Sequence, residues 1–284
     1  MLNAFSFDVE SGSSTHRGMV RDHNEDSLLA LPDSGLWLVA DGMGGHEAGE
    51  VASSMIVDAA ATIGRASSAP DMLARLLDRI DLAHQNIREH SIRLGGATIG
   101  STVVALLCYD GHFAVVWAGD SRAYLLRDGQ LHQLSQDHTE AQELIDQGLL
   151  APEQALHWPR RNVITRAVGV FDKPDPDQMS GTIMPGDVFL LCSDGLTEHA
   201  STVDLAAQMM EPDPQTICDN LVNLTLARGA KDNVSVIVAR WGPRPAIQRS
   251  DDNDDDKTVP NLGLKPELPD QDLPDQGGQR TEGD

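Results

Sequence analysis

The sequence predicts an α+β fold in which antiparallel strands and helices form separate layers. Two observations favour this class. Short apolar runs lie close together along the chain, and the Asp110-Gly111 turn between two of them is typical of a β-hairpin. Helical periodicity is confined to a few separate stretches, whereas a parallel βαβ fold would alternate helices with strands throughout.

Six short runs are predicted to be strands, because each is rich in aliphatic and aromatic residues and is bounded by turn-forming residues. They span residues 37–40, 101–109, 113–119, 123–127, 187–193 and 234–240. The first run is expected to end in a turn at Asp41-Gly42. Trp37 and Trp117 lie inside these runs and are predicted to be core residues.

Three stretches are predicted to be helices. Apolar residues at helical spacing from Leu73 to Ile87 indicate an amphipathic helix, and Asp71 is placed to be its N-cap. Residues 47–63 and 215–228 have the same character.

Composition restricts the function and the compartment. The 284 residues include 44 acidic and 21 basic side chains, and the formal net charge of -23 argues against nucleic-acid binding. Cys108, Cys192 and Cys218 are too few and too scattered for a disulfide framework, so reduced thiols are expected. The N-terminus shows no leader pattern, and no run approaches 18 apolar residues. We expect a cytoplasmic monomer without a membrane partner.

A change of composition divides the chain. Residues 1–241 carry the structural signals and are predicted to form one domain. Residues 242–284 contain 11 acidic and 5 basic side chains, six prolines and few large apolar residues. Such a segment cannot bury enough apolar surface to offset its ordering entropy, so it is predicted to be a disordered tail.

Carboxylates recur beside apolar strands at separated points of the chain. They lie in Arg21-Asp22-His23-Asn24-Glu25-Asp26, Asp41-Gly42, Gly119-Asp120-Ser121-Arg122, Ser193-Asp194-Gly195 and Lys231-Asp232-Asn233. Hard cations such as Mg²⁺ and Mn²⁺ prefer oxygen ligands, which a rigid sheet can hold at its strand ends. Each Asp-Gly pair alone is more typical of a turn, so the prediction of a metal site depends on the ordered combination.

The combination resembles the metal-dependent protein phosphatase family, the PPM or PP2C type, and especially its bacterial branch. The resemblance covers about residues 14–240. Its motifs, in family order, are Gly18-x-Val20-Arg21-x-x-Asn24-Glu25-Asp26, Val39-Ala40-Asp41-Gly42-Met43-Gly44-Gly45-His46, Gly100-Ser101-Thr102, Gly119-Asp120-Ser121-Arg122, Leu134-Ser135-x-Asp137-His138-Thr139, Ile164-Thr165-Arg166-Ala167-Val168-Gly169, Leu191-Cys192-Ser193-Asp194-Gly195-Leu196 and Lys231-Asp232-Asn233-Val234-Ser235.

The resemblance implies a four-layer α-β-β-α sandwich with two central antiparallel sheets and the metals at one end. It implies that Asp41 bridges two divalent cations, Mn²⁺ or Mg²⁺, and that Gly42 contributes its carbonyl oxygen. Asp194 and Asp232 would complete the first metal site, and Glu25 would order water on the second.

Further residue roles follow from the same resemblance. Asp26 would orient the water that the metals activate, and Arg21 would grip the substrate phosphate through two parallel hydrogen bonds. Asp120, together with Asp194, would form a third, weaker metal site.

Three positions carry separate expectations. Met43 occupies the place where animal relatives carry a histidine that can protonate the leaving group, and a thioether cannot do so. His46 is expected to be a loop residue and not the acid, with solvent or bound water in that role. Residues 139–161 correspond to the variable flap of the family, in which Gly148 fits a helix C′ position and Pro152 a following first helical position.

The implied activity is that of a serine/threonine phosphoprotein phosphatase that reverses a bacterial Ser/Thr kinase. Its partners would be phosphorylated proteins and a cognate kinase system, and residues 35–50 resemble phosphatases associated with type VI secretion control. Two alternatives remain open, a catalytically silent phosphatase-like scaffold and a hydrolase of small phosphate esters.

Overall fold

The computed structural model describes residues 7–44, 48–155 and 157–243. These residues form eleven strands and seven helices, with one 3₁₀ turn at Pro32–Ser34. In chain order the elements are β1 (Phe7–His16), β2 (Asp26–Leu31), β3 (Leu36–Met43), α1 (Ala48–Ala61), α2 (Ala69–Arg93), β4 (Gly100–Ser101), β5 (Val103–Tyr109), β6 (His112–Ala118), β7 (Arg122–Arg127), β8 (Gln130–Gln133), α3 (Glu140–Asp146), α4 (Pro152–Ala155), β9 (Asp177–Thr182), β10 (Val188–Cys192), α5 (Asp194–Thr197), α6 (Thr202–Met209), α7 (Pro214–Ala227) and β11 (Val234–Pro243).

The strands form two antiparallel sheets. Sheet I has the order β2-β3-β5-β6-β9, and the short β4 also pairs with β3. Sheet II has the order β1-β11-β10-β7-β8. The predicted hairpin is confirmed, since Tyr109 pairs with His112 and both Asp110 (φ 47°) and Gly111 (φ 75°) adopt the left-handed conformation of a two-residue turn.

Alternation of side chains in the strands produces three cores. Successive residues of a strand point to opposite faces of its sheet. In β3, Leu36 and Leu38 belong to the core that sheet I shares with α1 and α2, whereas Trp37 and Val39 belong to the core between the two sheets. A third core lies between sheet II and helices α5 to α7. The predicted four-layer α-β-β-α sandwich is therefore confirmed.

Large aromatic side chains fill the middle core. Trp241 of β11 contacts Trp37 of sheet I edge-on, with ring centroids 5.5 Å apart, and contacts Phe189 of sheet II at 5.2 Å. Phe189 in turn meets Phe113 at 4.9 Å. Aromatic residues are only 4% of the chain, but these four rings lie between the sheets. Each of them removes a large apolar area from water there. The prediction that Trp37 and Trp117 are core residues is confirmed, because both are buried.

The expected turn at Asp41-Gly42 is wrong, because β3 continues through both residues. Asp41 pairs with Asp26 of β2 and Gly42 with Ser101 of β4, and these ladder bonds keep the backbone extended. Strands β1, β8 and β9 lack a strong apolar signal and lie at sheet edges, where polar residues face solvent. The edge strand β2 contains three leucines and was not predicted.

The predicted N-cap of α2 is also wrong. Ser68 holds that position, and its side chain accepts a hydrogen bond from Asp71 N. Pro70 fits the first turn of a helix, so the helix starts before Asp71. Asp71 instead accepts hydrogen bonds from Ser67 and Arg75 within the first turn.

Capping residues define the segment predicted to be the flap. Thr139 caps α3 by accepting a hydrogen bond from Gln142 N, Gly148 follows the helix with φ 69°, and Pro152 opens α4. In the part of the chain that the structure describes, no helix has the length and apolar character needed to cross a membrane. Gly242 and Pro243, the first two residues of the predicted tail 242–284, belong to β11. The rest of that tail and His46 lie outside the described residues.

Candidate metal centre

Sheet I supplies one pair of carboxylates. Asp26 is the first residue of β2 and is the direct antiparallel partner of Asp41 in β3. Residues in this relation have Cα atoms about 4.5–5.5 Å apart and side chains on the same face. The two carboxylates are therefore neighbours because of strand register, although 15 positions separate them in the sequence.

The ends of strands in sheet II supply further carboxylates. Asp194 follows β10 and begins α5, and Asp232 lies two residues before β11, which pairs with β10. Asp120 lies in the turn that leads from β6 of sheet I into β7 of sheet II. The site is thus built at the end of the sandwich where both sheets contribute loops.

Close carboxylates raise one another's pKa values. Burial, followed by the charges of Asp26 and Asp194, raises the pKa of Asp41 well above its usual range. Burial, followed by the charges of Asp120 and Asp232, does the same to Asp194. Burial also raises the pKa of Asp26 to about 6 and that of Asp120 to about 7. Bound cations would offset the electrostatic repulsion between these carboxylates.

Two carboxylate oxygens in this cluster are buried and have no partner among the described residues. They are Glu25 Oε1 and Asp26 Oδ1. A buried acceptor left without a hydrogen bond costs about 1–3 kcal/mol, and more when the group is charged. Gly49 leaves room for Glu25, since a Cβ on Gly49 would lie 2.5 Å from Oε1. The oxygen-only donor set fits Mg²⁺ or Mn²⁺ and fits softer metals poorly.

Among the described residues, no three or more His, Cys, Asp or Glu side chains are grouped so that they could hold a metal ion. Asp232 Oδ2 accepts a hydrogen bond from Arg21 Nη2 at 2.6 Å, and this contact places the half-exposed guanidinium at the edge of the acidic cluster. Gly42 is buried, and a Cβ there would lie 2.0 Å from Gly49 O, so only glycine fits at that position.

Asn233 supports the site, although the sequence analysis gave it no role of its own. Its Oδ1 accepts a hydrogen bond from Glu25 N at 2.9 Å, and its Nδ2 donates to Arg17 O at 3.0 Å and His23 O at 2.9 Å. One side chain thus fixes both the backbone before β2 and the loop that carries Arg21. The motif Asp232-Asn233 before a strand was the available signal.

Ser193 supports Asp26 in a comparable way. Its Oγ donates to Asp26 Oδ2 at 2.8 Å and accepts from Ser235 N at 3.0 Å. The hydroxyl therefore fixes one oxygen of the Asp26 carboxylate and leaves the other toward the cluster. Sequence reasoning placed Ser193 in a motif but did not identify this contact.

The turn that carries Asp120 is held by His138. His138 N donates to Gly119 O at 2.9 Å, and Gly119 N donates to His138 Nδ1 at 3.2 Å. The opposite ring nitrogen lies 3.1 Å from Asp177 Oδ2, which fixes the proton on Nε2. Thr102 supports the backbone of Asp41 instead, because its Oγ1 accepts a hydrogen bond from Asp41 N at 3.1 Å.

A cavity of about 670 Å³ opens beside the acidic cluster. Asp120 and Asp194 line it, as do residues of α3 in the predicted flap. Lys231 and Arg161 also line it, so the cavity has both signs of charge.

Comparison with known families matches most of this chain to one family model. The model described as Protein phosphatase 2C matches residues 6–234. The serine/threonine protein phosphatase PstP of Mycobacterium tuberculosis is 37% identical over 255 residues, which are 86% of this chain and 49% of the relative. The serine/threonine phosphatase stp of Listeria monocytogenes is 32% identical over 79% of this chain and 92% of the relative.

Solved structures agree with the fold. The structure of PppA, a key regulatory component of T6SS in Pseudomonas aeruginosa, has a TM-score of 0.77 and 42% identity, over 82% of this chain and 97% of that chain. The catalytic domain of PstP in complex with two manganese ions has a TM-score of 0.75 and 34% identity, over 84% and 100%. The present chain spans about half the length of the mycobacterial relative PstP.

Proposed function

Because this chain belongs to the protein phosphatase 2C family, we propose that it removes phosphate from phosphoserine and phosphothreonine in proteins, by a hydrolysis that depends on divalent cations. The observation that carries the proposal is a set of carboxylates at one end of the sandwich: Asp26 and Asp41 are strand partners, and burial, followed by the charges of Asp26, Asp194 and Asp120, raises the pKa of Asp41. Grouping buried acids in this way costs stability and is expected where cations bind.

Two divalent cations, Mn²⁺ or Mg²⁺, are the cofactor that this donor set suits. Asp41, together with the Gly42 carbonyl oxygen, would help to hold the ions. Asp194 and Asp232 would complete the first position, and Glu25 would order water at the second. Asp120, with Asp194, would hold a third ion. When bound, the ions lower the pKa of a coordinated water toward neutrality and offset negative charge on the phosphate.

The chain's own residues would orient the reactants. Arg21 carries a guanidinium that is half exposed and fixed at 2.6 Å from Asp232, so it can present its remaining N–H groups to the phosphate of a substrate. Asp26 has Oδ2 held by Ser193 and Oδ1 without a partner, so Oδ1 is the atom that would accept a hydrogen bond from the attacking water. Met43 has no proton to give, and the leaving oxygen would take its proton from solvent.

Phosphate release from a phosphothreonine peptide tests the proposal. We expect turnover with Mn²⁺, loss of turnover with excess chelator, and a decrease of about 100-fold or more in Asp194→Asn, which removes one charged ligand. Asp58→Asn is the matched control, because Asp58 is exposed on α1 and is not among the carboxylates proposed to hold the ions. Activity that ignores both the chelator and Asp194→Asn would overturn the proposal.

The same assay separates the two alternatives. A silent scaffold would bind Mn²⁺ in calorimetry and release no phosphate from any ester. A hydrolase of small esters would act on an aryl phosphate and not on the peptide. The presence of every proposed ligand in the chain supports an active enzyme over a scaffold.

The proposal extends to the cellular role. The similarity to PppA supports a place in type VI secretion control, opposite a Ser/Thr kinase, and the three free cysteines suit a reducing cytoplasm. We propose that the chain acts as a monomer, so light scattering should report a mass near 30.6 kDa. A doubled mass at working concentration would contradict that part of the proposal.

A further inference from the structure

Met19 and Val20 form an exposed apolar pair beside the candidate metal centre. Their relative exposures are 66% and 67%. Among the described residues, no other two consecutive positions both expose a large hydrophobic side chain. Single exposed apolar residues are ordinary on protein surfaces, but two adjacent ones next to a functional residue indicate a surface that binds a partner.

The loop that displays this pair is held in place by backbone contacts. Met19 N donates to Ala230 O at 2.8 Å. Gly18, with φ 79°, lies so close to the chain before β11 that a Cβ there would be 2.1 Å from Asp232 O. Gly18 N also donates to His16 Nδ1 at 3.0 Å. The apolar side chains are thus presented by a fixed backbone and not by a loop that can turn them inward.

Both ends of the loop are tied to the same side chain. Asn233 Nδ2 donates to Arg17 O and to His23 O, and Arg17 Nη1 donates to Arg21 O at 3.2 Å. A preorganised surface loses little conformational entropy when a ligand contacts it. The loop therefore has the rigidity that a recognition surface needs.

The pair is positioned relative to Arg21, which we propose to bind the substrate phosphate. Val20 and Met19 precede Arg21 by one and two residues within a turn, so their Cα atoms lie at most about 4 and 7 Å from that of Arg21. The residue next to a phosphothreonine in an extended peptide lies at the same distance from it. An apolar side chain at that place in the substrate would cover the Met19–Val20 pair while the phosphate contacts Arg21.

We propose that the Met19–Val20 pair selects substrates in which an apolar residue is adjacent to the phosphorylated threonine or serine. The inference rests on the proposed phosphatase function and adds a substrate class to it. Removing apolar surface from water on both partners supplies the preference, and a contact the size of one leucine side chain accounts for a factor of about ten in affinity.

Matched phosphopeptides test this preference. Each has a phosphothreonine in an alanine background, with Leu or Asn on one side of it, so size and charge stay equal. We expect kcat/KM to favour the Leu peptide by about tenfold, mainly through KM, on at least one side. In the double variant Met19→Gln, Val20→Thr this ratio should fall close to one. Val203→Thr, a change at a 76% exposed valine on α6, should keep the ratio of the unchanged chain.

Binding without turnover provides an independent readout. Fluorescence anisotropy of both labelled peptides on Asp194→Asn, with and without the changes at 19 and 20, measures the same ratio as dissociation constants. Equal use and equal binding of the Leu and Asn peptides by the unchanged chain would overturn the inference, as would a Leu preference that survives the double variant. An aryl phosphate assay runs beside them. If the aryl phosphate and both peptides are hydrolysed and the preference is absent, only this inference fails, whereas hydrolysis of neither peptide refutes the proposed function itself.

Discussion

Asn233 connects parts of the chain that are far apart in sequence. Its side chain meets the backbone of Glu25 across 208 positions and that of Arg17 across 216. Three backbone groups depend on it, and it is itself almost completely buried. A single amide thus sets the position of the loop that carries Arg21 relative to the strand that carries Asp26.

Replacing Asn233 should weaken both the fold and the site. In Asn233→Ala the Glu25 amide and two carbonyls lose their partner, which should lower the free energy of unfolding by about 2–4 kcal/mol. Affinity for Mn²⁺ should fall about 10–100-fold, as expected when the supports of ligands are removed. Urea unfolding and calorimetric titration measure the two effects.

Asn220→Ala is the control for that change, because Asn220 is exposed on α7 and should be neutral within about 0.5 kcal/mol. An Asn233→Ala chain with unchanged Mn²⁺ affinity would show that the hydrogen bonds of Asn233 serve stability alone.

At the scale of elements, helix ends are fixed by side chains that also join one helix to another. Ser201 and Asp204 form a reciprocal capping box at the start of α6. Arg228, just after α7, donates to both oxygens of Asp204, at 2.7 and 3.0 Å. The start of one helix is therefore tied to the end of the next.

The capping box predicts a pH dependence of stability. The hydrogen bond from Arg228, then those from Ser201, hold the pKa of Asp204 below its usual range. A carboxylate with a depressed folded pKa stabilises the protein above its unfolded pKa of about 3.9, and the stabilisation is lost as pH falls through the folded value. The melting temperature of the unchanged chain should exceed that of Asp204→Asn at pH 7, and the gap should narrow at pH 3.

The control in that experiment is Asp58→Asn, since Asp58 accepts no side-chain or capping hydrogen bond from a described residue. The melting temperature of Asp58→Asn should differ little from that of the unchanged chain at both pH values. A gap for Asp204→Asn that is constant from pH 7 to pH 3 would rule out the carboxylate as its cause.

At the scale of the whole molecule, the two sheets depend on a few aromatic contacts. Trp241 is 5% exposed and reaches Trp37 of sheet I and Phe189 of sheet II. Trp241→Ala should cost about 3–5 kcal/mol in urea unfolding because it leaves a cavity between the sheets. Met184→Ala, at a half-exposed position, should cost less than about 0.5 kcal/mol. Similar values for both would mean that the middle core rearranges to fill the space.

The sequence was sufficient to predict the layers, and insufficient for their geometry and for that of the candidate site. Strongly apolar runs such as β5 and β10 were predicted within a residue or two, because burial on both faces leaves a continuous apolar signal. Edge strands such as β1 were missed, since half of their residues face solvent and may be polar without penalty to the fold.

The acidic residues proposed for the site come from sequence motifs, but their arrangement depends on long-range pairing. Nothing local in the sequence sets Asp26 opposite Asp41, because register is fixed by the packing of a whole strand. The same holds for the contact between Arg21 and Asp232, which joins residues 211 positions apart. Asp71 was misplaced for a local reason, since both serine and aspartate can cap a helix and only the course of the preceding backbone decides between them.

The two sheets each contribute acids to one end of the sandwich, and this has a consequence for how the protein must be handled. Like charges on opposite sides of the sheet interface push the layers apart, and an ion that binds both sides draws them together. By mass action the melting temperature then depends on the free cation concentration, in addition to the sequence. Two preparations of the same chain, one dialysed against chelator and one against manganese, would differ in thermal stability as if they were two different mutants.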